Sequence, residues 1–465
     1  MKPYTPANYS FEDAAHLSRR MGFGGTVQEI ETLRKLGPAA AVENLMRATN
    51  DDGTEDNPHD LEARFKELVD GGQSPNRATA IVVPTVQAWW MYKLVHSTQP
   101  FKEKLTLFWH GHFATGLDKV RSAFMLREQN ELFRRAGLGK FQPLVLAVAQ
   151  DPAMLVYLDN DENTKDHPNE NFARELMELF TMGVHGGYTE KDVQESARAF
   201  TGWSSTKNRG TPNAPSKFVF NQKNHDTGVK SFLGQNGNFT GEDIVRVVSN
   251  HASTAKFMTA KLWRFFVSET ISDATSSDLV SIWTRSGGDI REVLRSIFTS
   301  AEFYAPENRQ NLIKSPVEYV VGSLRTSQTK LGQAHDFGLI GALGAMAQIP
   351  FYPPNVKGWD GGLDWIADTT ILNRLQFIGA LGSERLPTNT PKNSNVPKPA
   401  PATSNWTVGS TLDETLELIG KTYLGVKPTG SLERALRAFA KNRNTPEVAK
   451  GLAYLVMVSP QYHLA

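Results

Sequence analysis

Asn169-Glu-Asn-Phe-Ala-Arg-Glu-Leu-Met-Glu-Leu-Phe180 is the stretch on which the fold class turns. At about 100° per residue, Phe172, Leu176, Leu179 and Phe180 fall on one side of a helix, and Ala173 and Met177 widen that stripe. Asn171, Arg174, Glu175 and Glu178 gather on the other side, within an arc of roughly 100°. A stripe this wide marks a helix packed on an apolar core. The same period recurs outward in both directions. Helices are expected over 85–97, 101–110, 120–135, 253–268, 275–284, 289–300, 316–326, 368–382, 411–423, 431–441 and 445–458. Thr26-Val-Gln-Glu29, Thr189-Glu-Lys-Asp192 and Thr240-Gly-Glu-Asp243 read as capping boxes, each ahead of apolar residues at helical spacing.

Strand signals are sparse. Lys217-Phe-Val-Phe220 and Val229-Lys-Ser-Phe-Leu233 are expected to pair as a small β-hairpin. Residues 387–406 hold five prolines among Asn, Thr, Ser and Lys, a composition that cannot bury a core. The expected architecture is therefore mainly α. It has a main helical body over 1–386 carrying the candidate site, a Pro-rich linker or loop over 387–406, and a C-terminal helical segment over 407–465 packed on the body. Ser300-Ala-Glu-Phe303 and Ser459-Pro-Gln-Tyr462 each follow an apolar helix and read as one helix-ending device used twice.

Composition narrows the function. With 465 residues, 40% hydrophobic and 21% charged, the chain is an ordinary globular one with ample core. Fifty basic and forty-nine acidic residues leave a net charge of +1, which gives no bulk attraction to nucleic acid or an anionic membrane. No cysteine is present, so disulfides, thiolate metal sites and cysteine nucleophiles are excluded. Nowhere do eighteen apolar residues run together, and the start, Met1-Lys-Pro-Tyr-Thr-Pro, lacks a signal-peptide core. The localisation expected from this is cytoplasmic, or periplasmic or extracellular by co-export with a partner. Phosphate-loop, dinucleotide and nucleophile-elbow motifs are absent from the sequence.

Several separated blocks resemble family 1800 of the domains of unknown function. They are His16-Leu-Ser-Arg-Arg-Met-Gly-Phe-Gly24, Phe108-Trp-His-Gly-His-Phe113, the 169–179 helix with Gly187-Tyr-Thr189 and Thr201-Gly-Trp203, His225-Asp226 with Lys230, and Pro354-Asn-Val-Lys-Gly-Trp359. The family usually carries Asn where this chain has Gly111. The resemblance implies no settled activity. It does imply a partner, because genes of this family often lie beside those of family 1501, whose members commonly carry twin-arginine export signals.

The candidate chemistry follows from the residue types. Glu175 and Glu178 share a helix face with Arg174 and Asn171, so carboxylates for acid–base work lie beside groups that hold an anionic or oxygen-rich substrate. The competing structural reading is a solvated face of intrahelical pairs. Glycoside hydrolysis needs carboxyl groups on both sides of one bond, which would call on Asp226 or Asp360 as the distant partner. His110 and His112 point about 200° apart on a helix and converge only if the helix ends at Gly111. With His225 they form the candidate zinc-type metal set, against the reading of ordinary hydrogen-bonded histidines. Lys230 is a candidate anion contact. Asp159, Asp161, Asn163 and Glu170 have the spacing of a calcium loop, although Thr164 stands where that loop needs glycine. In Pro353-Pro-Asn-Val-Lys-Gly-Trp-Asp-Gly-Gly-Leu-Asp-Trp365, Trp359 and Trp365 offer flat faces for sugar rings, with Asn355, Asp360 and Asp364 beside them. The alternative is that these tryptophans plug the core, as is expected of Trp89 and Trp90. Together these readings favour a hydrolase with a polar inter-helix cleft, carbohydrate-directed, using Glu carboxylates with or without a His-bound metal. The rival is a non-catalytic binding or export partner of a family-1501 protein.

Overall fold

A computed structural model describes residues 1–47, 52–206, 211, 215–389, 396, 401–406 and 408–465. Among them are twenty-three α-helices and four strands of three residues each. The chain is mainly α. All three expected capping boxes form. Thr26, Thr189 and Thr240 each accept from the backbone N–H three residues on, and the acidic side chain there answers back. This satisfies donors that a helix start otherwise leaves bare. The two serine motifs match as well. Ser300 Oγ donates to Ile297 O and Ser459 Oγ to Val456 O, both at 2.7 Å.

The expected strands exist, but their pairing differs. β1 (Trp203–Ser205) pairs antiparallel with β2 (Phe218–Phe220), Trp203 opposite Phe220. β3 (Lys230–Phe232) pairs with β4 (Gln235–Gly237), Lys230 opposite Gly237. Leu233 and Gly234 both have positive φ, the twist of a two-residue hairpin turn, so β3 closes on the segment after it. The stretch between β2 and β3 is committed elsewhere. His225 Nδ1 bonds the Thr201 carbonyl at 2.9 Å, and the Asp226 N–H donates to Thr201 Oγ1 at 2.8 Å.

Two apolar clusters fill the interior. The first joins the N-terminal helices to the 141–149, 171–181 and 244–303 regions through Leu17, Trp109, Phe172, Phe200 and Phe298. The second joins Trp90, Tyr319 and Leu339 to Leu416, Leu452 and Val456 of the C-terminal helices. The segment after the Pro-rich stretch is thus packed into a core shared with the body. Most of that stretch lies outside the described residues. Its described flanks are pinned, with Asn389 N donating to Ala334 O at 2.9 Å and Lys330 N to Thr403 O at 2.8 Å.

Helix Pro100–His112 stands between the clusters, giving Phe101, Leu105, Phe108 and Trp109 to the first and Leu107 to the second. It is anchored by a buried ion pair. Arg134 clasps Glu103 at 2.7 and 2.8 Å, and the Trp90 indole N–H donates to the same carboxylate at 3.1 Å. Such a pair adds little net stability over an apolar replacement, but removing one member strands a charge in the core.

Candidate functional site

The helix carrying His110 and His112 continues through His112, so their side chains diverge and hold separate posts. His110 faces inward. Its Nε2 accepts the Phe351 N–H at 3.1 Å, and its ring meets the Trp90 ring edge-on with centroids 4.8 Å apart. Burial pushes its pKa down to about 3, so it is a neutral acceptor that pins the start of the tryptophan loop.

His112 has a different setting. Its Nε2 pairs with the Phe180 carbonyl at 3.1 Å, which makes Nε2 the donor and leaves Nδ1 as acceptor. Phe180 belongs to the second half of the opening stretch, where the α-helix Asn171–Glu175 widens into the π-helix Leu176–Thr181. Thr181 Oγ1 donates to Leu176 O at 2.6 Å, and the Met182 and Gly183 N–H groups both reach Met177 O. The wide turn ends with the Phe180 carbonyl turned to an imidazole. On the other side of the ring, Lys261 Nζ donates to Nδ1 at 3.0 Å. Burial and the nearby lysine hold His112 well below its ordinary pKa.

Lys261 opens onto a cavity of about 620 Å³ bounded by helix Pro100–His112, helix Ala252–Phe266 and the tryptophan loop. Phe108, Phe265, Trp359 and Trp365 supply aromatic walls, and His112, Lys261, Arg264, Glu269 and Lys357 supply polar groups. Lys357 pairs with Asp360, and Glu318 at the cavity wall pairs with Lys104. Arg264 and Glu269 have no ion-pair or hydrogen-bond partner among the described residues, and Lys261 bonds only His112. Lys261 is pushed down to about 8 by burial first, then by the charges of Lys357 and Arg264.

The loop can line this cavity because it carries glycine at a close approach. Gly358 has φ +86°, and a Cβ there would stand 2.4 Å from the Gly111 carbonyl oxygen. Trp359 sits over the His110 ring at 5.6 Å, while Trp365 is buried. At Gly111 a Cβ would meet only open space on the cavity side. Of the sequence-derived candidates, the cavity therefore unites His112, Trp359, Trp365 and Asp360. Asn355 is exposed, and its Oδ1 accepts from the Lys357 N–H at 2.9 Å, as a loop-shaping residue does.

The remaining candidates lie elsewhere. Arg174 is clasped by Glu190 at 2.8 and 2.7 Å and by Glu170 at 3.0 Å, on the surface. Asn171 Nδ2 donates to Asp159 at 3.1 Å. Glu175 and Glu178 are partly buried without a bonding partner among the described residues, and burial followed by the Glu178 charge raises the pKa of Glu175. Asp226 is held by Arg198 at 2.7 Å, which keeps its carboxyl below the usual range. Lys230 is buried and donates to the Asp226 and Gly228 carbonyls.

The metal and calcium readings meet the same test. His110 Nε2 accepts from the Phe351 N–H, both ring nitrogens of His112 are spent on Phe180 and Lys261, and His225 Nδ1 on Thr201. Among the described residues no group of three or more His, Asp or Glu is arranged to hold a metal ion. In the acidic loop, Asp159 pairs with Lys119 at 2.7 Å, Glu170 with Arg174, and Asn163 Oδ1 accepts from the Asn169 N–H at 2.9 Å. These oxygens are turned to protein partners rather than to one point.

Sequence reasoning missed Lys261, Arg264 and Glu269. One signal was present: Lys261 and Arg264 stand three apart, hence on one helix side, inside an aromatic run, Phe257 to Phe266.

Fold and cavity together define an α-helical protein with a cavity between helices, lined by two tryptophans and by both cationic and acidic side chains. The chain belongs to the family described as Protein of unknown function (DUF1800), whose model matches residues 16–464. No curated protein and no solved structure matches the chain. Among the described residues no helix is long and apolar enough to cross a membrane.

Proposed function

We propose that the chain is an enzyme of hydrolase type that acts on a small anionic or oxygen-rich substrate in this cavity. The observation that carries the reading is the Lys261–His112 pair, a lysine with no carboxylate partner, hydrogen-bonded to an imidazole lone pair and open to the cavity. A large pocket with aromatic walls and a few convergent polar groups, one with a displaced pKa, is where chemistry is most often found. In its neutral form Lys261 takes a proton from water attacking the substrate. In its charged form it stabilises the negative charge that develops. Arg264 holds an acidic or hydroxylated group, and Trp359 offers the flat face a sugar ring packs on.

A second reading is favoured by Glu175. It is partly buried, without a partner and raised in pKa, as a general acid of glycoside hydrolysis is. Asp118 is a choice for the second carboxylate, since it and Glu175 both act on the Tyr157 hydroxyl.

The test is turnover of chromogenic esters, phosphates and glycosides by wild type, Lys261→Ala, His112→Ala and Glu175→Gln, with folding checked by circular dichroism. The expected outcome is activity on at least one substrate, lost in Lys261→Ala. Loss in Glu175→Gln alone moves the chemistry to the outer helix face. No turnover at all, with a family-1501 partner co-purifying, favours the binding or export role.

A further inference from the structure

We propose that Lys261 forms an imine with a carboxylate-bearing aldehyde or ketone held in the cavity by Arg264. This rests on the cavity being the substrate site and goes past it in naming the carbonyl class and the attacking atom.

A lysine is a carbonyl nucleophile only if its amine is reachable, partly discharged and free of a carboxylate that would keep it protonated. Lys261 meets each condition. It lines the cavity. Its one bonded partner is the His112 Nδ1 lone pair at 3.0 Å. Two acidic groups that line the cavity are taken by other partners: Glu318 by Lys104 and by the Ser315 N–H, and Asp360 by Lys357. The Glu269 carboxylate lies against Gly362, where a Cβ would come within 2.6 Å of its Oε1, and it is not among the charges that act on Lys261. The neighbours that do act on Lys261 are cations, Lys357 and Arg264, and both favour the neutral amine.

Of these two cations Arg264 is the one left to meet a ligand, since Lys357 is paired with Asp360. A neutral aldehyde has no reason to enter beside them, whereas a carboxylate one or two bonds from the carbonyl would meet the unpartnered Arg264 fork. The aromatic walls suit a short apolar remainder. In the step itself, the Nζ lone pair adds to the carbonyl carbon and the C=O π pair moves to oxygen. His112 Nδ1 accepts a proton from the nitrogen and passes it to that oxygen. The second amine hydrogen follows, the oxygen leaves as water, and a C=N bond remains. No oxidant or reductant is needed.

The experiment incubates the intact protein with glyoxylate and sodium cyanoborohydride near neutral pH. Carboxymethyl-lysine is then mapped by peptide mass spectrometry. Cyanoborohydride supplies a hydride to any imine and fixes it as a secondary amine. Lys261 is expected to be modified about tenfold or more above the average exposed lysine, because a lysine lowered by two units or so holds far more free amine at pH 7. Arg264→Ala should lower trapping by glyoxylate several-fold more than by acetaldehyde, which lacks the carboxylate and loses only the help that Arg264 gives the neutral amine. Equal loss with both aldehydes overturns the anionic part of the proposal. Modification of Lys261 no greater than that of exposed lysines overturns the imine. A succinate-induced rise in melting temperature, lost in Arg264→Ala, separates the two levels. If it is seen without trapping, the cavity still binds acids and only the imine falls.

Discussion

Two basic residues on two helices, Arg174 and Lys261, had equal standing as charges in the sequence and ended in opposite situations. Arg174 sits on a surface face and is gripped by Glu170 and Glu190, so its charge is spent. Lys261 faces a cavity, keeps company with other cations and touches only an imidazole lone pair. Ligand binding needs the second situation. A charge is available for chemistry when its own protein leaves it unpaired, and pairing is settled between elements distant in the chain.

The contrast can be broken from the cavity side. Gly358→Ala places a methyl group against the Gly111 carbonyl at a φ of +86°, so the tryptophan loop must move. A loss of about 2 kcal/mol or more in chemical denaturation, with a red-shifted tryptophan emission, is expected. Unchanged stability and emission would mean that the loop is not held against helix Pro100–His112.

A smaller effect sharpens it. Lys261 has its pKa lowered from 10.5 to about 8. Below pH 8 both folded and unfolded chains carry the proton and the folded state bears the full penalty. Between pH 8 and 10.5 the unfolded chain binds more protons, so stability contributed at this site rises with pH. Lys261→Met should therefore stabilise the protein by about 1 kcal/mol at pH 7, allowing for the lost bond to His112, and the gain should vanish above about pH 10. A gain that does not shrink with pH would show that packing rather than charge is responsible.

The smallest effect belongs to the surface. Glu190→Ala removes one holder of Arg174, but Glu190 is exposed and the pair is screened by water, so the melting temperature should not move measurably. A clear drop would make the outer face a structural network rather than a solvated one.

How much was legible differs by level. Helices were, because apolar spacing and capping boxes act within a few residues: the expected 316–326 and 368–382 match Pro316–Thr326 and Asp368–Gly382. The π-helical turn after Glu175 was not, since the pattern through Phe180 fits a regular helix equally well. It became visible only with the Phe180 carbonyl meeting His112 from another helix. The strand partners of 218–220 and 230–232 were likewise hidden, because short strands find partners by where neighbouring loops are tied down.

What the sequence determined alone was the α-class, the family and the absence of cysteine chemistry. These rest on local periodicity, residue types and motif order. What only the tertiary structure decided was which polar groups are free. His110 and His112 differ by two positions, yet one props up a loop and the other holds a lysine at a cavity wall. A side chain's direction is set by its own helix, but its partner is set by whatever packs opposite, and that information is spread over the whole chain.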